Sequence, residues 1–166
     1  MEKNLTNTEA IEKFLHLVNE IRICMFITDT KENDHTRPMA TVSTDQDGTL
    51  WFFTDIRSIK VEEIDQENSV HLVYADPGKS KFLDVWGNAR IITDNTTVTD
   101  KWSPIMKAWF PQGPADPNIA LLKVSPTDVY YWDSESARMV SFLKIAMKAF
   151  VDKDINEGVE GNLKLH

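Results

Sequence analysis

From residue 81 to residue 93 the chain alternates with a period of two. Leu83, Val85, Gly87, Ala89 and Ile91 fall on one face; Phe82, Asp84, Trp86, Asn88 and Arg90 fall on the other. That is the pattern of a strand with one buried face, and the small Gly87 inside it predicts a bend or bulge where a barrel curves. Shorter β-rich runs occupy 21–28, about 37–44, about 49–55, 69–75 and 119–132, the last being a strand pair or one strand bent around Ser125-Pro126. Trp51, Phe52 and Phe53 make the 49–55 run too apolar for one-sided burial, so both of its faces are expected to be covered.

Helical spacing takes over elsewhere. Ile11, Phe14, Leu15 and Val18 predict an amphipathic helix over 6–20, and Val61 and Ile64 the buried side of a short helix near 58–66. Trp102, Ile105, Ala108 and Trp109 are spaced for one face of a helix over 96–109, with Pro104 as a kink or a restart. A last helix is predicted over 139–151, followed by a loose tail. Asp47-Gly48 and Asp76-Pro77-Gly78 are turn signals, 29–35 is a charged loop, and the proline-rich 110–118 is a shaped connection. Six short strands with helices at the ends and in the crossovers predict a small closed or partly open barrel, mainly β in class (α+β). No repeat or linker divides the chain. It is expected to be one domain over 1–166, with a barrel core of about 8–135 and a helix and tail over 136–166.

Composition narrows the function classes. With 166 residues, 42% apolar and 27% charged, the chain is that of an ordinary globular domain. Its net charge of −8 disfavours nucleic acid or an anionic membrane as the main partner. The lone Cys24 allows no intrachain disulfide. The opening MEKNLTNTEAIEKF lacks the marks of a signal peptide, and no run is long enough to span a bilayer, so a soluble cytoplasmic protein is expected. The four histidines are scattered without metal-ligand spacing, so no metal site is expected, and no nucleophile motif is present.

One stretch carries candidate chemistry. Thr54 closes a strand, and Ser58 and Lys60 stand at the start of the helix that follows. Free N–H groups at a helix start, a hydroxyl and an ammonium suit a phosphate, and Arg37 before Pro38 would be a second anion contact. An N-cap serine, a solvated lysine and a charged strand end are the commoner reading of the same residues. Trp86, on the polar face of its strand, would sit at a groove or interface.

Together these segments resemble the pyridoxamine 5′-phosphate oxidase-like split-barrel flavoproteins, and within them the bacterial general stress protein branch. Arg37-Pro38-Met39, Phe52-Phe53-Thr54-Asp55 followed by Ser58-x-Lys60, and Val85-Trp86-Gly87-Asn88-Ala89 look like the flavin half-site. Lys107-Ala108-Trp109-Phe110-Pro111, Gly113, Asp116-Pro117 and Tyr130-Tyr131-Trp132-Asp133 look like the branch's own signature. The resemblance implies a six-stranded Greek-key split barrel with flanking helices, a homodimer, and FMN, or else FAD, in clefts between the subunits. It places Arg37 and Lys60 on the flavin phosphate with Ser58 donating a hydroxyl, and Pro38, Met39, Phe53 and Thr54 along the ribityl chain and ring. Trp132 would reach a flavin from the partner subunit. This agreement with the anion site turns the balance at Ser58 and Lys60 toward phosphate.

The departures bear on activity. Val42 stands where oxidases of pyridoxine phosphates resemble one another in carrying lysine, Ile59 replaces a basic residue, and Phe82 replaces a glutamine that meets the flavin ring. No vitamin B6 oxidase activity is therefore expected. The implied function is a flavin-dependent oxidoreductase with an unidentified small-molecule electron donor or acceptor. A non-catalytic flavin-binding stress protein that stores or senses flavin is the alternative. A barrel holding haem or a deazaflavin ranks last, since no histidine is placed for haem.

Overall fold

The computed structural model describes residues 5–29, 34–133 and 159–164. The elements run β1 (Leu5–Thr6), α1 (Asn7–Ile21), β2 (Ile23–Asp29), β3 (Asp34–Ala40), β4 (Ser43–Thr44), β5 (Leu50–Asp55) and α2 (Ile59–Gln66), and then β6 (Ser69–Asp76) and β7 (Lys81–Ile92). After α3 (Asn95–Lys101) and two short 3-10 helices (Pro104–Ala108 and Gly113–Ala115) come β8 (Ile119–Asp133) and β9 (Val159–Lys164). The protein is mainly β, as the alternation predicts.

Six of these strand segments make the barrel. β5 pairs β8, β8 pairs β7, β7 pairs β6, β6 pairs β2 and β2 pairs β3, all antiparallel. The ring is drawn together at Thr41-Val42, where the chain changes partners: Thr41 N–H donates to the Arg22 carbonyl, Val42 N–H donates to the Trp51 carbonyl, and β4 then pairs β5. The predicted 37–44 strand is therefore two segments with a bend between them. The hairpin from β4 to β5 turns at Asp47-Gly48 with Gly48 at φ 93°, a backbone conformation that favours glycine.

The interior is filled by alternate residues of the barrel strands, including Cys24, Phe26, Leu50, Phe52, Leu72, Tyr74, Leu83, Val85, Leu122 and Tyr131, with Phe14, Leu17 and Val18 of α1 packed on them. Phe26 and Phe52 meet edge to face, their centroids 5.3 Å apart. The other face of β5 has its own apolar layer: Trp51 and Phe53 pack with Val98, Phe110, Ile119 and Leu121. Both faces of β5 are covered, as its run of aromatics requires.

Gly87 marks a true irregularity. The β7–β8 register shifts between Trp86 and Gly87, and a Cβ on Gly87 would lie 2.6 Å from the Ser125 carbonyl oxygen. The run over 119–133 is a single long strand carried through Ser125-Pro126, which resolves the two alternatives left by the sequence.

Three expectations need correction. The helix over 96–109 does not continue: α3 stops at Lys101, and Pro104 restarts the chain as a 3-10 helix, because proline brings no N–H to a helical ladder. Ile105 and Trp109 are consequently 70% and 67% exposed rather than aligned on a buried face. The tail is not wholly loose, since β9 pairs antiparallel with the far half of β8 and parallel with β1. The charged loop is also shorter than expected, with β3 beginning at Asp34. The helix predicted over 139–151 lies outside the described residues.

Candidate functional site

α2 packs against β2 and β7, and several polar groups gather where it meets the strands. Arg37 lies opposite Phe26 in the β2–β3 register, and Thr54 continues the inward face of Leu50 and Phe52. The Asp55–Ser58 turn, closed by Ser58 N–H donating to the Asp55 carbonyl at 3.0 Å, then carries the chain into α2.

Ser58 occupies the N-cap position, yet its side chain makes no cap hydrogen bond. Its hydroxyl turns instead to Thr54, Oγ to Oγ1 at 3.2 Å. Lys60 is not a solvated surface lysine: it is half-buried, and Nζ donates to Thr54 Oγ1 at 2.8 Å. Thr54 Oγ1 thus accepts from Lys60 and shares a hydrogen bond with Ser58 in which either hydroxyl can be the donor. Burial lowers the Lys60 pKa from its ordinary value, and the nearby Arg37 charge lowers it further, against the opposing pull of Asp55 and Glu63. Two cations near enough for one to lower the other's pKa, beside two hydroxyls and a helix start, form a cradle for an anion. The arrangement fits a phosphate by its donor set.

Arg37 is held from behind. Nη1 donates to Thr28 Oγ1 at 2.9 Å, and Nη2 donates to Glu63 Oε2 at 3.0 Å. The Glu63 carboxylate also meets the Thr28 hydroxyl and His35 Nδ1. Burial by itself would raise the Glu63 carboxyl, but the hydrogen bonds from Thr28, His35 and Arg37 hold it below the ordinary carboxylate range. Glu63, Thr28 and His35 were not singled out from the sequence. The available signal was slight: Glu63 stands between Val61 and Ile64, the two residues on the buried side of α2.

The other predicted residues divide by position. Met39 is half-buried against the core, and Pro38 is exposed on the opposite face of β3. Phe53 is buried under Trp102 and Phe110, with centroids 5.9 and 6.5 Å away, so its side chain serves the outer apolar layer. Trp132 stands apart. It pairs with Phe82, whereas Thr54 pairs with Ala120, so along β8 the two are separated by about 40 Å of strand path. Within one chain Trp132 is not brought to the Lys60 cradle. It is part-exposed and packs edge-on to Tyr130 at 4.6 Å.

Trp132 belongs to an outward sheet face. Cross-strand rows there are Met25–Val73–Asp84–Tyr130, Ile27–His71–Trp86–Asp128 and Ala75–Phe82–Trp132. Met25, Trp86 and Trp132 are exposed in this chain. Trp86 lies flat on His71, with centroids 4.0 Å apart and planes 4° apart, and His71 Nε2 is paired with Asp84. No group of metal-binding side chains occurs among the described residues, and no helix among them is long and apolar enough to cross a membrane.

Comparison with known proteins decides the family. The profile of the family described as "Pyridoxamine 5'-phosphate oxidase like" matches residues 9–156. The chain belongs to the pyridoxamine 5′-phosphate oxidase-like family. General stress protein 26 of Bacillus subtilis is 29% identical over 123 residues, covering 71% of this chain and 84% of that protein. Protein bli-3 of Neurospora crassa is 27% identical over 105 residues and covers 58% of this chain, which spans only 50% of the length of bli-3. Among solved structures, the general stress FMN/FAD binding protein of Xanthomonas citri superposes with a TM-score of 0.68 at 30% identity, over 81% of this chain and 95% of that one. The barrel is thus the split barrel of the pyridoxamine 5′-phosphate oxidase-like family, and the general stress proteins are its relatives.

Proposed function

We propose that this chain binds FMN, with the phosphate between Arg37 and Lys60 and in reach of the Ser58 hydroxyl. The observation that carries the reading is the departure of Ser58 and Lys60 from their ordinary roles. The serine does not cap its helix, and the lysine is half-buried on Thr54 with a second cation, Arg37, near enough to lower its pKa. Such an arrangement costs stability in the absence of an anion and is relieved by one. The FMN/FAD binding of the Xanthomonas citri relative supports the same cofactor class. Thr54, Pro38, Met39 and the backbone at Phe53 then border the ribityl chain and ring.

The mixed outward face bearing the exposed Met25, Trp86 and Trp132 supports a homodimer, since exposed aromatic and methionine side chains on one face are enriched where a partner docks. In that assembly Trp132, remote from the cradle of its own chain, is free to approach the flavin of the other. When bound, flavin supplies the electron chemistry, and this chain supplies position and electrostatics to a cytoplasmic oxidoreductase whose small-molecule donor or acceptor is unidentified. Val42, Ile59 and Phe82 argue against oxidation of vitamin B6 phosphates.

The test is a visible spectrum of the purified protein followed by titration with FMN and FAD, read by flavin fluorescence. Flavin bands or saturable quenching are expected, with FMN the tighter ligand. Absence of both overturns the reading. Bound flavin that NADH and NADPH fail to reduce would replace catalysis with storage or sensing.

A further inference from the structure

Arg37 and Lys60 carry like charges in a partly buried site, and an arginine side chain left to itself there would swing toward water. Its partner prevents this. The Glu63 side chain is 7% exposed against 21% for Arg37, so the carboxylate lies on the inner side of the guanidinium. Three donors on two strands fix that carboxylate: the hydroxyl of Thr28 on β2, and the ring of His35 and the guanidinium of Arg37 on β3. Thr28 ties the assembly by also accepting from Arg37 Nη1. These bonds use two of the five guanidinium N–H donors and leave three for a ligand.

We infer that Glu63 is a positioning residue, which holds the Arg37 guanidinium where it meets a ligand phosphate and so sets the preference for phosphorylated over dephosphorylated flavin. The inference rests on the FMN reading above. Glu63 does not touch the ligand; it removes the freedom of the group that does, and preorganisation of that kind appears as affinity. The opposite role, an internal anion that competes with phosphate for Arg37, predicts the opposite sign.

The experiment measures FMN and riboflavin affinity by fluorescence quenching for the full chain, Glu63→Gln, Arg37→Ala and the double variant, after removal of bound flavin. Glu63→Gln is expected to weaken FMN roughly 10- to 100-fold, the equivalent of one charge-assisted hydrogen bond. Riboflavin affinity should stay unchanged, and Glu63→Gln should add nothing in the Arg37→Ala background. FMN binding that is unchanged or tighter in Glu63→Gln overturns the inference, as does equal loss for both flavins or full additivity with Arg37→Ala. Should Glu63→Gln fail to fold, Thr28→Val removes the hydroxyl tie alone; it should show the same FMN-selective loss, and unaltered FMN affinity overturns the inference. Wild-type protein that binds FMN no better than riboflavin overturns the phosphate reading itself. Discrimination retained in both wild type and Glu63→Gln overturns only the role of Glu63.

Discussion

Replacing Lys60 by methionine separates what the residue does for the fold from what it does for a ligand. Methionine keeps most of the buried stem and removes the charge. In the ligand-free protein the lysine contributes one hydrogen bond, to Thr54 at 2.8 Å, and feels Asp55 and Glu63 favourably; burial and the Arg37 charge oppose it and prevail, lowering its pKa. The sign follows by linkage. A cation whose folded pKa lies below its unfolded value of 10.5 is destabilising while it is protonated in both states. That penalty is relieved as pH rises through the folded pKa toward 10.5, because the unfolded chain there binds more protons. Removing the charge relieves it at neutral pH as well. The lost hydrogen bond, about 1 kcal/mol, offsets this gain, so Lys60→Met should melt within about 3 °C of wild type in phosphate-free buffer. FMN affinity should fall by about 1.5–3 kcal/mol, roughly 10- to 100-fold, with riboflavin affinity unaffected. Thermal melts and flavin titrations of both proteins read the two quantities. A strongly destabilised variant would give Lys60 a structural role instead, and one that binds FMN as wild type does would place the phosphate elsewhere.

Other consequences are more local. Gly87→Ala should destabilise by about 1–3 kcal/mol in denaturant unfolding, because the new Cβ meets backbone atoms of Ser125 and Pro126 that cannot rotate away. The Glu20 carboxyl, pulled to about 2 by hydrogen bonds from Lys81 and then Lys79, stabilises the fold above its unfolded value of 4.5. That contribution is lost as pH falls through about 2, so Glu20→Gln should flatten the acid limb of a stability–pH curve in this window. Trp86→Arg, on the outward face, should shift a homodimer toward monomer in sedimentation velocity while leaving the secondary structure by circular dichroism intact; an unchanged sedimentation profile would place the interface elsewhere.

The barrel was legible where burial is periodic. The alternation of β7, the aromatic run of β5 and the small residue at the Gly87 bulge are local consequences of one strand facing a core, and they appear directly in the order of residues. Ser58 and Lys60 were legible for the same reason, as marks at the start of a short helix. What escaped depends on tertiary partners. Glu63 is one acid in Ile59–Gln66, beside Glu62 and Asp65, and only the approach of Thr28, His35 and Arg37 selects it. β9 has a partner because the far half of β8 offers a free edge more than twenty-five residues earlier. Helical spacing misled at Ile105 and Trp109, since Pro104 had already ended the helix whose period they would share. The remoteness of Trp132 from the Lys60 cradle follows from the length of β8, which cannot be settled by residue type at either end.

Where the flavin phosphate sits is visible in a crystal structure of the protein grown with FMN. Phosphate oxygens are expected within hydrogen-bond distance of Lys60 Nζ, the Arg37 guanidinium and Ser58 Oγ, with Glu63 still holding Arg37 from behind. Flavin density with its phosphate elsewhere, and Lys60 still closed on Thr54, would contradict this placement.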